Sequence, residues 1–339
     1  MVIEMFNGWY FFWLLLWTGI TVGLYFLFKD KSQKAQKILL FSLLAFGFLM
    51  HFMKALYPPY SVDYDRMLRD SWFVNICGAN IALFPFLFFS KNKHVKDYMF
   101  YIGLISGLIA LFYPQEPLAK SNQIGELLDI IRFYYHHWML LAVPLLMVLW
   151  KHHRLSYKRM LTPATGLMLL ALFIMLNQIF QSELGFIPLR DAGIEPNYKN
   201  SSYIWGPGYD SEQGKITDGI GAFLAMFTPE CFKTLPVAWS GSKYPVGTVK
   251  YWPWFWLLCP VYLIVTTLAF LISLIQDHKN FKNDMIKLGC LIKLYTKKVI
   301  NFFKRLFGKK TTEEEPQIVE HEKQELEEQK QEESETMLV

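Results

Sequence analysis

The sequence predicts an all-α membrane protein of seven transmembrane helices, with the N-terminus outside and the C-terminus cytoplasmic. Three observations predict it. Apolar residues come in uninterrupted blocks of about 20, the length that crosses ~30 Å of hydrocarbon. Of 339 residues, 53% are hydrophobic and only 19% charged, where a soluble domain carries about 25% charged. The basic residues also alternate between loops, as they do when cytoplasmic connections retain lysine and arginine. A soluble single-core enzyme is thereby excluded, and the mean hydropathy of +0.20 averages a very apolar first part with a charged last part.

The expected spans are 8–28, 38–57, 72–89, 98–113, 131–150, 160–180 and 252–275. The flank before the first, MVIEMFN, has no Lys or Arg, and a positive cluster follows the span. It reads as an anchor and not as a cleavable signal. The connections after spans 1, 3 and 5 hold Lys29, Lys31, Lys34 and Lys37, then Lys91, Lys93 and Lys96, then Lys151, Arg154, Lys158 and Arg159. Intervening connections hold only Arg66 and Arg69, then Lys120. That asymmetry sets the orientation. His152 and His153 fall in a basic inner loop and are expected to be solvated.

Three regions divide the chain. Residues 1–275 form the bundle, with 181–251 as a long external loop rich in Gly, Pro, Tyr and Trp. Its apolar stretch 219–227 is too short to span. Residues 276–310 carry many lysines among Ile286, Leu288, Leu291, Ile292, Val299, Phe302, Phe303 and Leu306. Such a basic amphipathic segment is expected on an anionic inner leaflet, or else packed on another protein. Glutamate dominates 311–339, an acidic tail expected to be disordered, with no catalytic part and a cytoplasmic protein as its candidate partner. No nucleic-acid partner is expected.

Strongly polar groups inside a span are costly and mark functional candidates. Cys77 of span 3, His51 of span 2 and His137 of span 5 fall at similar depth. Asn75, Asn80, His136, Asn177 and Gln178 share that layer, which the Trp252-Pro253-Trp254 entrance of span 7 joins. A thiol and an imidazole at one depth are the minimal parts of nucleophilic acyl transfer. Alternatively Cys77 is a small inert hydrophobe, and the histidines make interhelical hydrogen bonds. The four cysteines (Cys77, Cys231, Cys259, Cys290) have no CxxC spacing. Adjacent His136 and His137 point about 100° apart on a helix, so neither a metal nor another cofactor is expected. In span 4, Gly103 and Gly107 form a GxxxG pattern that lets helices approach closely.

Three stretches carry a resemblance: Asn75-Ile76-Cys77 with its apolar span, YIGLISGLIALFYP at 101–114 leading to RFYYHH at 132–137, and Trp252-Pro253-Trp254. In their order and spacing the chain resembles the YwaF-like integral membrane proteins of bacteria, whose animal relatives include a cysteine-dependent phospholipid acyltransferase. The resemblance covers roughly 41–275 outside the long loop. It implies that Cys77 and His137 are the catalytic pair and that a membrane phospholipid is the substrate. Where the family often has a histidine two residues before the cysteine, this chain has Asn75, and its long loop replaces a compact connection.

Two functions follow as expectations. In the first, the protein is an acyltransferase of the cell membrane, with His51, Asn75, Asn80, His136, Asn177, Trp252 and Trp254 around the substrate. In the second, the polar layer is a binding cavity or permeation route in a non-enzymatic protein.

Overall fold

The computed structural model describes residues 2–114, 124–185, 202–207, 209–210, 215–216, 219–233 and 251–307. The acidic tail and most of the long loop lie outside the described residues. The chain divides into two units, Met1–His278 and Lys279–Val339.

Nine α-helices are described: α1 (Gly8–Phe28), α2 (Gln33–Met53), α3 (Tyr64–Ser71), α4 (Ile76–Leu87), α5 (Lys93–Phe112), α6 (Ile124–Leu149), α7 (Leu161–Glu183), α8 (Gly219–Ala225) and α9 (Leu258–Phe307). One two-residue antiparallel pair, Tyr209–Asp210 with Lys215–Ile216, is the only sheet among the described residues. Asn7, Ser32, Asn75 and Asn92 cap α1, α2, α4 and α5, each accepting from a backbone N–H of the first turn. These are the donors a helix start leaves unsatisfied.

Five stretches are long and apolar enough to cross a membrane: Gly8–Phe28, Gln33–Leu56, Lys93–Phe112, Tyr157–Glu183 and Phe255–Phe307. The fold is therefore that of an all-helical, multi-pass membrane protein. The expected third and fifth spans differ from these. α4 is only 12 residues, about 18 Å at 1.5 Å per residue. α6 is long enough, but its first fourteen residues carry Asp129, Arg132, His136 and His137, all buried, which dilutes its apolar character. The last span also begins later than expected, at Phe255, because Trp254 sits at a φ of 64° that no helix continues through.

α6 packs most closely on α5, and the expected GxxxG pattern is the reason. A Cβ on Gly103 would fall inside 3.0 Å of the Leu140 carbonyl oxygen. One turn further, a Cβ on Gly107 would lie 2.8 Å from both the His137 carbonyl oxygen and Leu141 Cβ. Bare glycine backbone lets the helices meet. Around this contact, Leu40 and Leu44 of α2, Phe84 of α4, Met139 and Leu146 of α6 and Ile174 of α7 form the main core. α1 adds a second cluster through Trp13, whose ring stacks on Tyr134 at 4.8 Å.

The long connection does more than cap the bundle. Ile204 and Trp205 are buried in the main core. Trp254 N donates to Ile204 O at 2.7 Å, and Trp256 Nε1 donates to Tyr203 O at 2.7 Å. At the other end, His153 is not solvated as expected. It is buried, 2.6 Å from Asp97 Oδ1, and Arg159 bonds the same carboxylate. Asp97 is fully buried, so the basic loop folds back to satisfy a carboxylate that water cannot reach. His152 is partly buried, and that burial, with Lys37 and Lys96 adding repulsion, lowers its pKa.

Candidate functional site

The site is built where α4 begins. Between α3 and α4 the stretch 72–75 is not helical, and Phe73 holds a φ of 62°, which bulky residues adopt only when their surroundings force it. Non-helical backbone inside a bundle leaves carbonyls that something must satisfy. The amides of α7 do so. Asn177 Nδ2 donates to the Trp72 carbonyl and, at 3.4 Å, to that of Phe73. Gln178 Nε2 donates to Val74 O at 3.0 Å, and Gln181 Nε2 to Trp72 O at 3.4 Å. Trp205 Nε1 in turn holds Gln178 Oε1 at 2.6 Å. Replacing Gln178 by Ala leaves buried carbonyl and indole groups unmet, at about 1–3 kcal/mol. Alkylation of Cys77 by a small maleimide is then expected to run faster than in the parent, with the change in thermal midpoint measured alongside.

Asn75 caps α4, its Oδ1 accepting from Gly78 N at 2.7 Å, and Ser202 Oγ accepts from Ile76 N at 3.1 Å. Cys77 is half-buried in the first turn, where the peptide dipoles favour negative charge. Cys77, Asn80, Ile81 and Phe84 share one face of α4 by their 3–4–7 spacing. Asn80 is fully buried. Its Oδ1 accepts from Tyr98 OH at 2.7 Å, while its Nδ2 has no partner among the described residues. Tyr98 also lies within electrostatic reach of Cys77.

His51 and His136 stand together, with ring centroids 6.2 Å apart. His51 Cε1 is 3.7 Å from where a Cβ on Gly78 would be, so the ring borders the first turn of α4. His51 Nε2 reaches Ser71 O at 3.4 Å and its buried Nδ1 has no partner among the described residues. His136 Nε2 bonds Gly47 O at 3.0 Å. His137 Nδ1 bonds Phe133 O at 2.8 Å. A carbonyl only accepts, so that Nδ1 carries the hydrogen and Nε2 presents its lone pair, the tautomer of a general base.

The close approach at Gly103 sets the relative depths, since it touches both Phe84 of α4 and Leu140 of α6. Counted from that level along each helix, His137 lies about 5 Å and Cys77 about 10 Å toward the Trp72 end. The imidazole leans toward that end, tilted at 47° to the Phe133 ring with centroids 4.2 Å apart. No hydrogen bond joins His137 to Cys77 among those described.

The remaining expected residues separate. Asn177 holds the entrance backbone at Trp72 and Phe73. Trp254 Nε1 donates to Met168 O at 2.8 Å, and Trp252 N donates to Phe232 O at 2.9 Å. Both belong to the clamp on the long connection. The sequence did not single out Tyr98, nor the buried Arg132–Asp129 pair at 2.5 Å at the start of α6. The RFYYHH stretch carried the signal for Arg132, and nothing in the sequence carried one for Tyr98. Among the described residues no cluster of three or more ligating side chains suits a metal ion.

On the opposite face of α4 lies an apolar cavity of about 890 Å³. Its walls include Phe52 of α2, Ala79 and Phe86 of α4, Tyr98 of α5, and Leu169 and Phe173 of α7, with Phe73 at one end and His94 at the other. Phe86 and Leu169 are 69% and 62% exposed, so the cavity reaches the perimeter of the bundle. Tyr98 both lines it and holds Asn80. Phe52 and Phe73, at its Trp72 end, touch the His51 ring at 5.1 and 5.8 Å.

No curated protein and no solved structure matches the chain. The model of one family does, over residues 5–209. That match is more than half of the chain, and it takes in α1 to α7, the clamped entrance, Cys77, Asn80, His51, His136 and His137. The chain therefore belongs to the TMEM164 family, a family of transmembrane proteins.

Proposed function

We propose that the protein crosses the cell membrane seven times with its N-terminus outside, and transfers an acyl chain between membrane phospholipids through Cys77. In this proposal α4 and α6 complete the seven spans as short or polar helices sheltered by their neighbours. The observation that carries the function is the apolar cavity of about 890 Å³, which opens at the bundle perimeter and ends, toward Trp72, at Phe52 and Phe73, whose rings pack against His51. It has the size and lining of a site for an acyl chain, and it lies across α4 from the layer that holds a thiol and three imidazoles, so in this proposal the ester end of the lipid passes the first turn of α4 to reach Cys77.

The chemistry needs no cofactor. His137 Nε2 takes the Cys77 proton, the sulfur attacks the ester carbonyl of a phospholipid, and a tetrahedral alkoxide forms. Its collapse breaks the C–O bond. The lysolipid oxygen leaves with the proton returned by His137, and the acyl group stays on sulfur as a thioester. A second lipid hydroxyl, deprotonated by the same imidazole, then attacks the thioester and regenerates the thiol.

Asn80 supplies the alkoxide with a donor. Its Nδ2 is buried without a partner among the described residues, one turn below Cys77 on the same face, and a missing donor of this kind slows such reactions by about 10²–10³. Asn80→Ala is expected to slow acylation on that scale. Tyr98→Phe, which removes the bond to Oδ1 but keeps the donor, is expected to act far less. The rate of thioester formation on the full chain in lipid measures both, with thermal midpoints as the control for folding.

The second function, a lipid-binding protein without chemistry, uses the same cavity. A thiol-reactive lipid-ester probe separates the two. Labelling that requires both Cys77 and His137 supports acyl transfer. Lipid that binds and protects the cavity in both variants, with no label at Cys77 in the parent, supports binding alone.

A further inference from the structure

We infer that the Lys279–Phe307 stretch of α9 is a docking surface for an anionic membrane leaflet, independent of the Cys77 site. Three observations carry it. From Met285 the apolar residues Leu288, Ile292, Tyr295, Val299, Phe302 and Leu306 follow in strict alternation of three and four, which lines them along one side of a helix. All seven are exposed, from 43% at Met285 to 64% at Tyr295. The same stretch holds eight lysine and arginine side chains against one carboxylate, Asp284.

A strict three-four stripe is also the seam of a coiled coil, so a second copy of the helix is the competing occupant. Charge decides against it. Stable seams are flanked by complementary acid and base, whereas this one is flanked at successive positions by Leu291, Lys298 and Arg305 on one side and by Gly289, Thr296 and Phe303 on the other. Two copies would bring like charges together with one carboxylate each to offset them. The apolar arc is also wider than a seam, because Leu291 and Phe303 extend it.

An anionic leaflet meets both features at once. Acyl chains take the stripe, and headgroup phosphates and carboxylates take the lysines, whose stems lie along the helix as Lys298 does over the Tyr295 ring, 5.9 Å from its centroid. Each basic side chain near such a surface strengthens binding by about fivefold. The chain leaves its last apolar block only a few residues before Lys279, so the stripe follows directly on a span in the chain.

The test uses the full chain in nanodiscs, with an environment-sensitive fluorescent amino acid at Val299 in one variant and, on the opposite face, at Asn301 in another. Quenching by nitroxide-labelled lipid reports depth. In discs rich in phosphatidylserine the Val299 probe is expected to quench several-fold more than the Asn301 probe, and the difference is expected to vanish in Lys293→Glu/Lys297→Glu/Lys298→Glu. Equal quenching of the two probes in anionic discs overturns the inference. So does quenching that is the same in phosphatidylcholine as in phosphatidylserine. Energy transfer between copies without lipid quenching assigns the stripe to a second copy instead. Lipid quenching that emerges only when residues 311–339 are removed assigns it to the chain's own acidic tail.

Discussion

Cys77→Ala is expected to reduce acyl exchange between phospholipids to background, a loss on the order of 10⁶-fold, the scale on which removing the nucleophile of a covalent mechanism acts. The substitution is mild for the fold. Cys77 is half-buried in the first turn of α4, alanine is a good helix former, and the cap from Asn75 to Gly78 does not involve its side chain. The thermal midpoint is therefore expected to move little. His137→Gln is expected to lose most of the exchange as well, while retaining slow acylation of Cys77 by an activated thioester that needs no base. Exchange of labelled acyl chains in reconstituted vesicles measures both, and parent-like exchange in Cys77→Ala removes the thiol from the reaction.

Gly103→Leu is expected to have the largest effect on stability. Its first side-chain atom would fall inside 3.0 Å of the Leu140 carbonyl oxygen, and the same atom would meet Phe84 and Pro144 at 3.1 Å. A side chain can turn aside, but a helix carbonyl cannot, so α5 and α6 must separate. Overpacking of this kind costs about 1–3 kcal/mol even in cores that yield, and the separation also disturbs the packing that sets the depth of His137 against Cys77. Gly103→Ala is expected to destabilise by a smaller amount in the same direction. Gly19→Ala, with nothing within 4 Å of the new atom, is expected to be neutral or slightly stabilising. Unfolding in detergent, followed by thermal midpoint, ranks the three.

The helices were legible in the sequence because a membrane demands long apolar runs, and α1, α2, α5, α7 and the first half of α9 supply them without interruption. α4 was harder. The block from Trp72 to Phe89 is apolar apart from Asn75 and Asn80, so composition alone extends the helix through residues that the structure leaves non-helical. What breaks it is tertiary: three amides of α7 capture the carbonyls of Trp72, Phe73 and Val74. Asn177 and Gln178 were visible as costly polar residues in a span, but their partners lie more than a hundred positions away, and no local pattern encodes that pairing.

The candidate site divides in the same way. Cys77, His51, His136 and His137 stand out in sequence because thiols and imidazoles are scarce in apolar helices. Tyr98 does not, since tyrosine is common in spans, and its link to Asn80 exists only once α4 and α5 are side by side. The Gly-Pro-rich connection hid its own role for a similar reason. Ile204 and Trp205 look like loop residues until Trp254 and Gln178 pin them into the core.

The claim on which the mechanism depends is that sulfur of Cys77 carries the acyl group. Incubation of the full chain with a phospholipid bearing an isotope-labelled acyl chain, followed by proteolysis and mass spectrometry of all four cysteine peptides, tests it most directly. The labelled acyl group is expected on the Cys77 peptide, released by hydroxylamine and discharged when lysolipid is added. No labelled thioester at Cys77, or label only at the exposed Cys231, Cys259 or Cys290, would contradict it.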